Sequence, residues 1–430
     1  MTSEEFIRAL DARGLRRRFG GRGLRTLLAL AVGPGVLVMV GENDGPSMLS
    51  YATTGATYGI GFFVPFILLT FVMAYVVQEA TVRIGIATGL GHAELIARGF
   101  GRFWGRFAVA DLLGGNLLTL ITEFVAIRAG ASYFGIPPAP AIVGALALIG
   151  GALVVRKYAR WERVVLALAC ANVLFVPAAL LAQPDTHAVV RALATWGPLP
   201  GGPNAAFWTL VLANVGATVT PWMIFFQQSA VVDKGLTRAD LPRARFDTAF
   251  GALLAAVVAI AATLATTPLF AHHVAVAALG DGAQFARALQ PYLGHAGASL
   301  FALGMIEAGL VAAMTISTSS AYTGGEMLGG ARGSIAFRAV GIGSIVLAAL
   351  IVLIPGTPLL ALTLTVNVIA TLLMAPALLF VLLLANDRAL MGELVNDWRG
   401  NALGGATILA VSLLGGFYGV AVALPHVIGG

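Results

Sequence analysis

Long apolar stretches alternate with short polar connections along almost the whole chain. Each stretch stays hydrophobic over about 20 residues, the length that an α-helix needs to cross a hydrocarbon core of about 30 Å. A membrane β-strand would instead alternate over about ten residues, so the pattern predicts helices. We place eleven membrane spans at 26–56, 59–82, 107–132, 139–155, 163–182, 207–231, 248–270, 297–322, 335–355, 357–384 and 403–426.

Composition and charge agree with a multi-pass membrane protein. Of the 430 residues, 58% are hydrophobic and 11% are charged, whereas soluble domains carry about 25% charged residues. If the N-terminus is cytoplasmic, only Arg128, Arg191 and Arg287 of the 26 Lys and Arg residues fall away from cytoplasmic segments, as the positive-inside rule requires. The C-terminus is then outside, and the net charge of +6 faces anionic lipid rather than nucleic acid.

One transport domain is expected, because no linker or low-complexity segment divides the chain. The two longest outside connections, roughly 183–206 and 271–296, are interpreted as loops. We divide the chain into an Arg-rich cytoplasmic segment at 1–25, a first five-helix repeat at 26–182, a second five-helix repeat at 207–384 and an additional eleventh helix at 403–426.

Gly, Pro and small polar residues interrupt the first span at 41–47 and the sixth span at 214–221. Because these spans are five apart, they enter the membrane from opposite sides, a pattern typical of an inverted repeat with a binding site at the midplane. A broken helix leaves backbone amides and carbonyls unpaired. At this depth that is tolerated only around a buried polar site or a water-filled cavity.

Asp44 is the strongest functional candidate. An ionised carboxylate near the bilayer centre costs at least about 2.5 kcal/mol without a partner, and beside free carbonyls it suits a hard cation. The alternative is that Asp44 only caps the second half-helix, with Pro46 in the first turn. In the sixth span, Ala217 offers a carbonyl and Thr220 a hydroxyl, although Thr in a helix often bonds to its own backbone.

Three further acids are candidates for the transport pathway or for proton movement. Glu42 could add a second carboxylate, although positions two apart on a helix point to different faces. Glu123 and Glu307 lie within the third and eighth spans, where charged residues tend to be functional. A structural ion pair, with Arg128 as the partner, is an equal alternative for Glu123.

Two amides in the sixth span are weaker candidates. Gln227 and Gln228 either line the pathway or join two helices. All six histidines lie in loops or near span ends, and Cys170 is the only cysteine. A His- or Cys-based metal site is therefore not expected.

The two interrupted spans resemble those of the Nramp family of divalent-metal transporters. Gly-Glu-Asn-Asp-Gly-Pro-Ser-Met at 41–48 and Gly-Ala-Thr-Val-Thr-Pro-Trp at 216–222 stand where that family has Asp-Pro-Gly-Asn and Ala-x-x-Met-Pro-His. Supporting stretches are Thr-Glu-Phe at 122–124, Ser-Ala-Tyr-Thr-Gly-Gly-Glu at 320–326 and Asn-Asp-Arg-Ala-Leu-Met-Gly-Glu at 386–393. The resemblance implies an all-α, leucine-transporter-like fold of five plus five inverted helices that works by alternating access.

The resemblance also implies roles for individual residues. Carried over by position, Asp44 becomes the central carboxylate ligand and Ala217 a carbonyl ligand, with Asn367 near the site. Glu123 takes the place of an acid that is associated with proton movement.

The chain departs from the family pattern at the implied site. Ser47 replaces the family's Asn ligand, Thr220 its Met sulfur and Trp222 its His, while Leu120 replaces an acid of the proton route. Loss of the thioether favours hard cations such as Mg²⁺ or Mn²⁺, and loss of the His and the acid argues against proton coupling. These features are similar to those of the Nramp-related magnesium transporter branch, whose site has room for an ion that keeps its waters.

The expected function is secondary transport of a hard divalent cation, Mg²⁺ first and Mn²⁺ next, with no enzyme activity and no cofactor. We expect a monomer in a bacterial inner membrane, with lipid and the transported cation as its partners and no nucleic acid. An organic solute or anion transporter of the same fold is the alternative, with half-helix amides binding the negative group. An intramembrane hydrolase using Asp44 with Glu42 or Glu123 is a third interpretation, which lacks a catalytic motif.

Overall fold

The computed structural model describes residues 33–276, 279, 282–328, 330, 332–354 and 359–423. The predicted Arg-rich segment, the first residues of the first span and the last residues of the eleventh lie outside these ranges. Within them, all secondary structure is helical. The helices are α1 (Pro34–Gly41), α2 (Gly45–Tyr58), α3 (Phe63–Thr88), α4 (His92–Phe100), α5 (Arg102–Tyr133), α6 (Pro138–Leu153), α7 (Tyr158–Ala169), α8 (Phe175–Leu181), α9 (Thr186–Thr195), α10 (Ala205–Gly216), α11 (Pro221–Asp233), α12 (Leu241–Ala271), α13 (Gly282–Leu328), α14 (Ile335–Val352), α15 (Leu359–Ala385), α16 (Arg388–Met391) and α17 (Trp398–Ala423).

The helices follow the predicted spans closely. Eight helical segments of the described chain are long and apolar enough to cross a membrane, and they correspond to the second, third and fifth to tenth predicted spans. The fourth span is the shorter apolar helix α6, and α17 contains the described part of the eleventh. The first span is divided between α1 and α2. The predicted multi-pass helical architecture is therefore confirmed.

The two long connections that were predicted as outside loops contain helices, so that part of the prediction is wrong. α9 lies within the first connection, where the Asp185 side chain accepts a hydrogen bond from the His187 amide. The first turns of α13 lie within the second, before the chain bends at Gly294, whose φ is 69°. A positive φ is readily adopted only by glycine. Both helices are too short to give a clear apolar signal.

The fifth span is interrupted, which the sequence analysis did not anticipate. α7 passes into a 3₁₀ segment, Cys170–Leu174, before α8 begins. Pro177 explains the change, because a proline has no amide hydrogen to donate and its ring crowds the carbonyl four residues earlier. The tighter winding holds Asn172 in the protein interior, where it is 2% exposed.

The two broken spans pack closely against neighbouring helices of the bundle. α1 and α2 run along α12, and α10 runs along α15. A Cβ added to Gly45 would lie 2.1 Å from the Cβ of Ala126, and one added to Gly216 would lie 1.9 Å from the carbonyl oxygen of Asn367. Small residues at such contacts allow membrane helices to approach closely. Because residues 45 and 216 are glycine, the first helix break can lie in contact with the third span and the second break in contact with the tenth span.

A buried carboxylate from the seventh span anchors the start of α1. Asp247 accepts hydrogen bonds from the amides of Gly33 at 2.6 Å and Gly35 at 2.8 Å, with a longer one from Val36 at 3.4 Å. A negative charge at a helix N-terminus satisfies amides that have no partner within the helix and is favoured by the helix dipole. The half-helix that ends at the first break is thus held at its other end by α12.

Candidate cation site at the helix breaks

Every predicted site and pathway residue is buried, with at most 7% of its surface exposed. These residues do not form one cluster. Most lie around the two breaks, whereas Gln228 and Glu307 belong to separate hydrogen-bond networks described below. The predicted positions are Glu42, Asp44, Ser47, Glu123, Ala217, Thr220, Gln227, Gln228, Glu307 and Asn367.

Asp44 lies in the gap between α1 and α2. Its Oδ1 accepts a hydrogen bond from the Ser47 amide at 2.7 Å, so the carboxylate caps α2. Capping uses one carboxylate oxygen, so the capping alternative and a cation-binding role are compatible. The Ser47 hydroxyl is buried beside the Asp44 carboxylate. It therefore adds a side-chain oxygen next to Asp44 in the first turn of α2.

The break in the sixth span presents a carbonyl whose direction is fixed by hydroxyl groups. Ala217 follows α10, and its carbonyl accepts a hydrogen bond from the Tyr51 hydroxyl at 3.1 Å. The Tyr51 hydroxyl also lies 3.0 Å from that of Thr218, which lies 2.9 Å from that of Thr70 in the second span. A carbonyl oxygen has two lone pairs, so Ala217 retains one for a further partner. Tyr51, Thr218 and Thr70 were not among the predicted site residues.

A hydrogen bond joins the two breaks directly. The Thr220 hydroxyl lies 2.8 Å from Oε1 and 3.0 Å from Oε2 of Glu42, and it donates to this carboxylate. Glu42 directly follows α1, and Asp44 directly precedes α2. The two acids therefore do not lie on one continuous helix, and the expectation that positions two apart point to different faces does not apply to them. Thr220 is the residue before α11, and its hydroxyl donates across to the first span. The start of α11 is thus fixed to the end of α1.

Glu123 contacts the first break from the third span. Its Oε2 accepts a hydrogen bond from the Gly45 amide at 3.0 Å, and its carboxyl group lies beside that of Asp44. Arg128 is not its partner, because that guanidinium donates to the Val352 carbonyl at 3.1 Å. Among the described residues, none of the three acids at the break, Glu42, Asp44 and Glu123, forms an ion pair with a basic side chain.

The three acids do not converge on one point. The described part of the chain contains no group of three His, Cys, Asp or Glu side chains that could hold a metal ion. A cation bound at Asp44 would therefore take most of its other ligands from hydroxyls, carbonyls or water. This arrangement can hold a partly hydrated hard ion.

Residues from the sixth and tenth spans close the site on two sides. Asn367 donates to the Ser50 hydroxyl at 2.9 Å, one turn of α2 beyond Ser47. The Trp222 ring covers the end of α1, where a Cβ on Gly41 would lie 3.3 Å from it. The Met223 sulfur, which was not among the predicted ligands, accepts a hydrogen bond from the Thr220 amide at 3.5 Å. This thioether is thus directed to the backbone of its own helix.

The two glutamines have different surroundings. Gln228 joins helices, because its Nε2 donates to the Leu90 carbonyl at 2.8 Å and its Oε1 accepts a hydrogen bond from Nδ1 of His92 at 2.7 Å. Burial lowers the pKa of the His92 imidazole from 6.5 to about 4, although this hydrogen bond acts in the opposite direction. Gln227 has a buried Oε1 without a hydrogen-bond partner. Only Gln227 keeps a polar atom that could face a pathway.

Glu307 belongs to a separate network, where the first, fifth and eighth spans meet. Its Oε2 accepts a hydrogen bond from Nδ2 of Asn172 at 3.2 Å, and the same nitrogen lies 3.3 Å from the Asn43 carbonyl. Asn43 donates through Nδ2 to Oδ1 of Asn172 at 3.1 Å and to the Ala255 carbonyl at 3.0 Å. Asn172 was missed, although an Asn within an apolar span is a visible sequence signal.

Comparison with known proteins gives consistent matches over nearly the whole chain. Residues 35–420 match the profile of the family described as Natural resistance-associated macrophage protein-like, or Nramp. The divalent metal cation transporter MntH of Yersinia pestis (strain Pestoides F) is 28% identical over 404 residues, which are 91% of this chain and 94% of the relative. MntH of Yersinia pseudotuberculosis serotype O:3 (strain YPIII) matches equally well.

Solved structures show the same fold. The manganese transporter of Eremococcus coleocola superposes with a TM-score of 0.75 at 20% identity, covering 92% of this chain and 87% of that one. MhsT in complex with L-phenylalanine superposes with a TM-score of 0.58 at 16% identity, covering 89% and 98%. At these identities the likeness concerns the fold alone. It confirms the predicted all-α, leucine-transporter-like architecture.

Proposed function

Because this chain belongs to the Nramp family, we propose that it is a secondary transporter of divalent metal cations, carrying Mg²⁺ first and Mn²⁺ second. It works by alternating access in a bacterial inner membrane, with a cytoplasmic N-terminus and without proton coupling. The names of its relatives, a divalent metal cation transporter and a manganese transporter, support the class of cargo. The choice of Mg²⁺ and the absence of coupling rest on the site itself.

One observation carries the proposal: Asp44 is buried between two broken helices, beside Glu42 and Glu123, and no described basic side chain pairs with any of the three. Burying a charge without a partner costs several kcal/mol. Within a membrane, such groups mark ion pathways. A transported cation supplies the missing positive charge.

The atoms around Asp44 favour a hard cation. The Ser47 hydroxyl, the Ala217 carbonyl and the Asn367 side chain offer oxygen, which Mg²⁺ and Mn²⁺ prefer. The Met223 sulfur contacts the Thr220 amide instead. Because these oxygens are too few to complete a coordination shell, water supplies the remainder. Mg²⁺ dehydrates reluctantly and usually keeps several waters when it binds to proteins.

The surroundings of the site argue against proton coupling. Trp222 stands at the position where the family pattern has a histidine, and it has no ionisable group. Its ring covers the end of α1. Leu120, in place of an acid, is fully buried. His92 is a buried histidine between the second and third spans, and it contacts Gln228 rather than any of the three acids. Uptake is therefore expected to be the same with and without a pH gradient.

The test is cation uptake into proteoliposomes that contain the purified protein. Wild-type protein should take up Mg²⁺ and Mn²⁺, and Asp44→Ala should reduce both to the level of empty liposomes. Asp111→Asn is the matched control, because it removes one negative charge from the third span away from the breaks, and it should transport normally. Unimpaired Mg²⁺ and Mn²⁺ uptake by Asp44→Ala would refute the proposal.

Counterflow with Mg²⁺, Mn²⁺ and Ca²⁺, with and without a pH gradient, then tests the cargo and the coupling. Preference for Mn²⁺ over Mg²⁺ would reverse the proposed order, and acceleration by an inward proton gradient would show coupling. An organic anion as cargo is disfavoured, because three acids surround the break and would repel a negative group.

A further inference from the structure

We propose that a cleft at the end of the bundle predicted to face the cytoplasm binds one anionic phospholipid. The cleft has a volume of about 750 Å³ and lies between α3, the start of α12, the end of α15 and the start of α17. Volumes of about 300–1,000 Å³ are typical of pockets that hold small ligands. None of the residues around the two helix breaks lines this cleft. The proposal is therefore independent of the transported cargo.

The deeper part of the cleft is apolar. The second, tenth and eleventh spans form its walls there, through Tyr75, Leu378, Leu403 and Ile408. Leu403 is 54% exposed, and Trp398, at the start of the same helix, is 74% exposed. An exposed tryptophan at the end of a membrane helix is typical of the boundary between lipid and water. An acyl chain can therefore enter this part of the cleft from the bilayer.

Two arginines share one carboxylate at the charged rim of the cleft. Arg83 is 7% exposed and donates to Oε2 of Glu79 at 2.8 Å, to the Leu394 carbonyl at 2.9 Å and to Oδ1 of Asn396 at 2.6 Å. Arg245 donates from Nε to Oε1 of Glu79 at 2.7 Å. Because two guanidinium groups face a single carboxylate, this part of the rim keeps a positive charge.

Arg399 adds an exposed guanidinium to the same rim. It lies in the first turn of α17, 5.4 Å from the centroid of the Trp398 ring. Among the described residues, no carboxylate pairs with it, because the nearby Asp397 accepts the Gly400 amide at 2.7 Å and caps the helix. The Arg245 side chain is 46% exposed as well. Two exposed arginines at one cleft suit a phosphodiester group, which accepts paired hydrogen bonds from guanidinium groups.

The charges of the rim match an anion with a single negative charge. The acids are Glu79, Glu393 and Asp397, and the arginines are Arg83, Arg245, Arg399 and Arg238, which pairs with Glu393 at 3.3 Å. Four positive charges against three negative charges leave one positive charge. Basic pockets between membrane helices bind anionic lipid head groups.

The head group that fits is that of phosphatidylglycerol, which carries one negative charge. Phosphatidylcholine has no net charge, and its quaternary ammonium group would lie beside the arginines of the rim. A soluble phosphate ester could contact the same arginines, but it has no chain to fill the apolar part of the cleft. The occupant is therefore a lipid of the bilayer.

The experiment is native mass spectrometry of the purified full-length protein, delipidated in a non-ionic detergent and titrated with dioleoylphosphatidylglycerol. We expect the first lipid to bind more tightly than later ones, and dioleoylphosphatidylcholine to bind about fivefold more weakly. Arg399→Gln should weaken the binding of phosphatidylglycerol about fivefold. The matched control is Arg102→Gln. Arg102 is exposed at the start of α5, is predicted to face the same leaflet and does not line the cleft, so this variant should bind like wild type.

Equal binding of phosphatidylglycerol by wild type and Arg399→Gln would overturn the proposal. An equal loss in Arg102→Gln would do the same, because it would show general attraction to a basic surface. Equal affinity for phosphatidylcholine would contradict the charge argument, and displacement of the lipid by glycerol 3-phosphate would assign the cleft to a soluble phosphate.

Thermal unfolding gives a second readout. Phosphatidylglycerol should raise the unfolding midpoint of wild type and of Arg102→Gln, and it should raise that of Arg399→Gln less. If Arg399→Gln does not fold, Arg245→Gln removes the other exposed guanidinium of the rim, and the same loss of binding is expected. Unchanged binding in that variant would equally refute the site.

Discussion

Replacing Asp247 with asparagine tests how firmly the first half-helix is anchored to the seventh span. Asp247 accepts two short hydrogen bonds, from the amides of Gly33 at 2.6 Å and Gly35 at 2.8 Å, while it is 4% exposed. The side-chain amide of the Asp247→Asn variant would keep one acceptor oxygen and turn an NH₂ group towards the other backbone amide. The variant therefore loses one hydrogen bond, weakens another and removes the charge at the helix N-terminus.

The size of the effect follows from these contacts. A hydrogen bond to a charged group contributes about 1.5–3 kcal/mol, and a charge at a partly buried helix terminus contributes up to about 2 kcal/mol. These contributions overlap, so we expect Asp247→Asn to lower the free energy of unfolding by about 3 kcal/mol. The measurement is equilibrium unfolding in mixed micelles of increasing SDS fraction.

The matched control is Asp185→Asn, which alters the same kind of cap in an exposed helix. Asp185 caps α9 through one hydrogen bond of 2.9 Å from the His187 amide. Water can replace that bond, so we expect a loss below about 1 kcal/mol. If the two variants lose equal stability, or if Asp247→Asn loses less than its control, the anchor does not contribute as argued.

Two further predictions concern other parts of the protein. Thr220→Met should raise the affinity for Cd²⁺, because it brings a soft sulfur to the sixth-span break; isothermal titration calorimetry that shows no gain would count against Thr220 lying beside the cargo. The pKa of His92, lowered to about 4, makes stability pH-dependent. The unfolded chain takes up a proton near pH 6.5 and the folded protein only near pH 4, so stability should fall as the pH drops through this window. The slope should diminish in His92→Asn, and thermal midpoints with an unchanged slope would contradict the burial of a neutral imidazole.

The spans and both helix breaks could be predicted from the sequence, because their signals are local. Apolar length fixes a span, and Gly and Pro near Asp44 and Thr220 identify the breaks. The interruption of the fifth span also has a local cause, Pro177, but without neighbouring glycines it resembles the proline that many membrane helices tolerate. The helices in the two long connections gave too little apolar signal because they are short.

The contacts between distant segments could not be predicted. Glu42 and Thr220 are 178 positions apart, and their hydrogen bond depends on how the two half-helices turn after each break. Arg128 was a plausible partner of Glu123 by sequence distance, yet its guanidinium reaches the ninth span. Asp247 gave no sequence signal, because an acid after several arginines resembles an ordinary surface residue. Helical periodicity describes neighbours on one helix and says nothing about such pairs.

The hydrogen bond between Thr220 and Glu42 constrains the order in which cargo preference could evolve. If methionine replaces threonine first, Glu42 loses its hydroxyl donor and remains buried, at a cost of about 1–3 kcal/mol. If Glu42 is first replaced by a neutral residue, the later replacement of Thr220 by methionine costs less, because no buried charge then loses its hydrogen-bond donor. The two positions should therefore show strong epistasis. A lineage that moves between oxygen and sulfur ligands at the sixth span would be expected to change the first span beforehand.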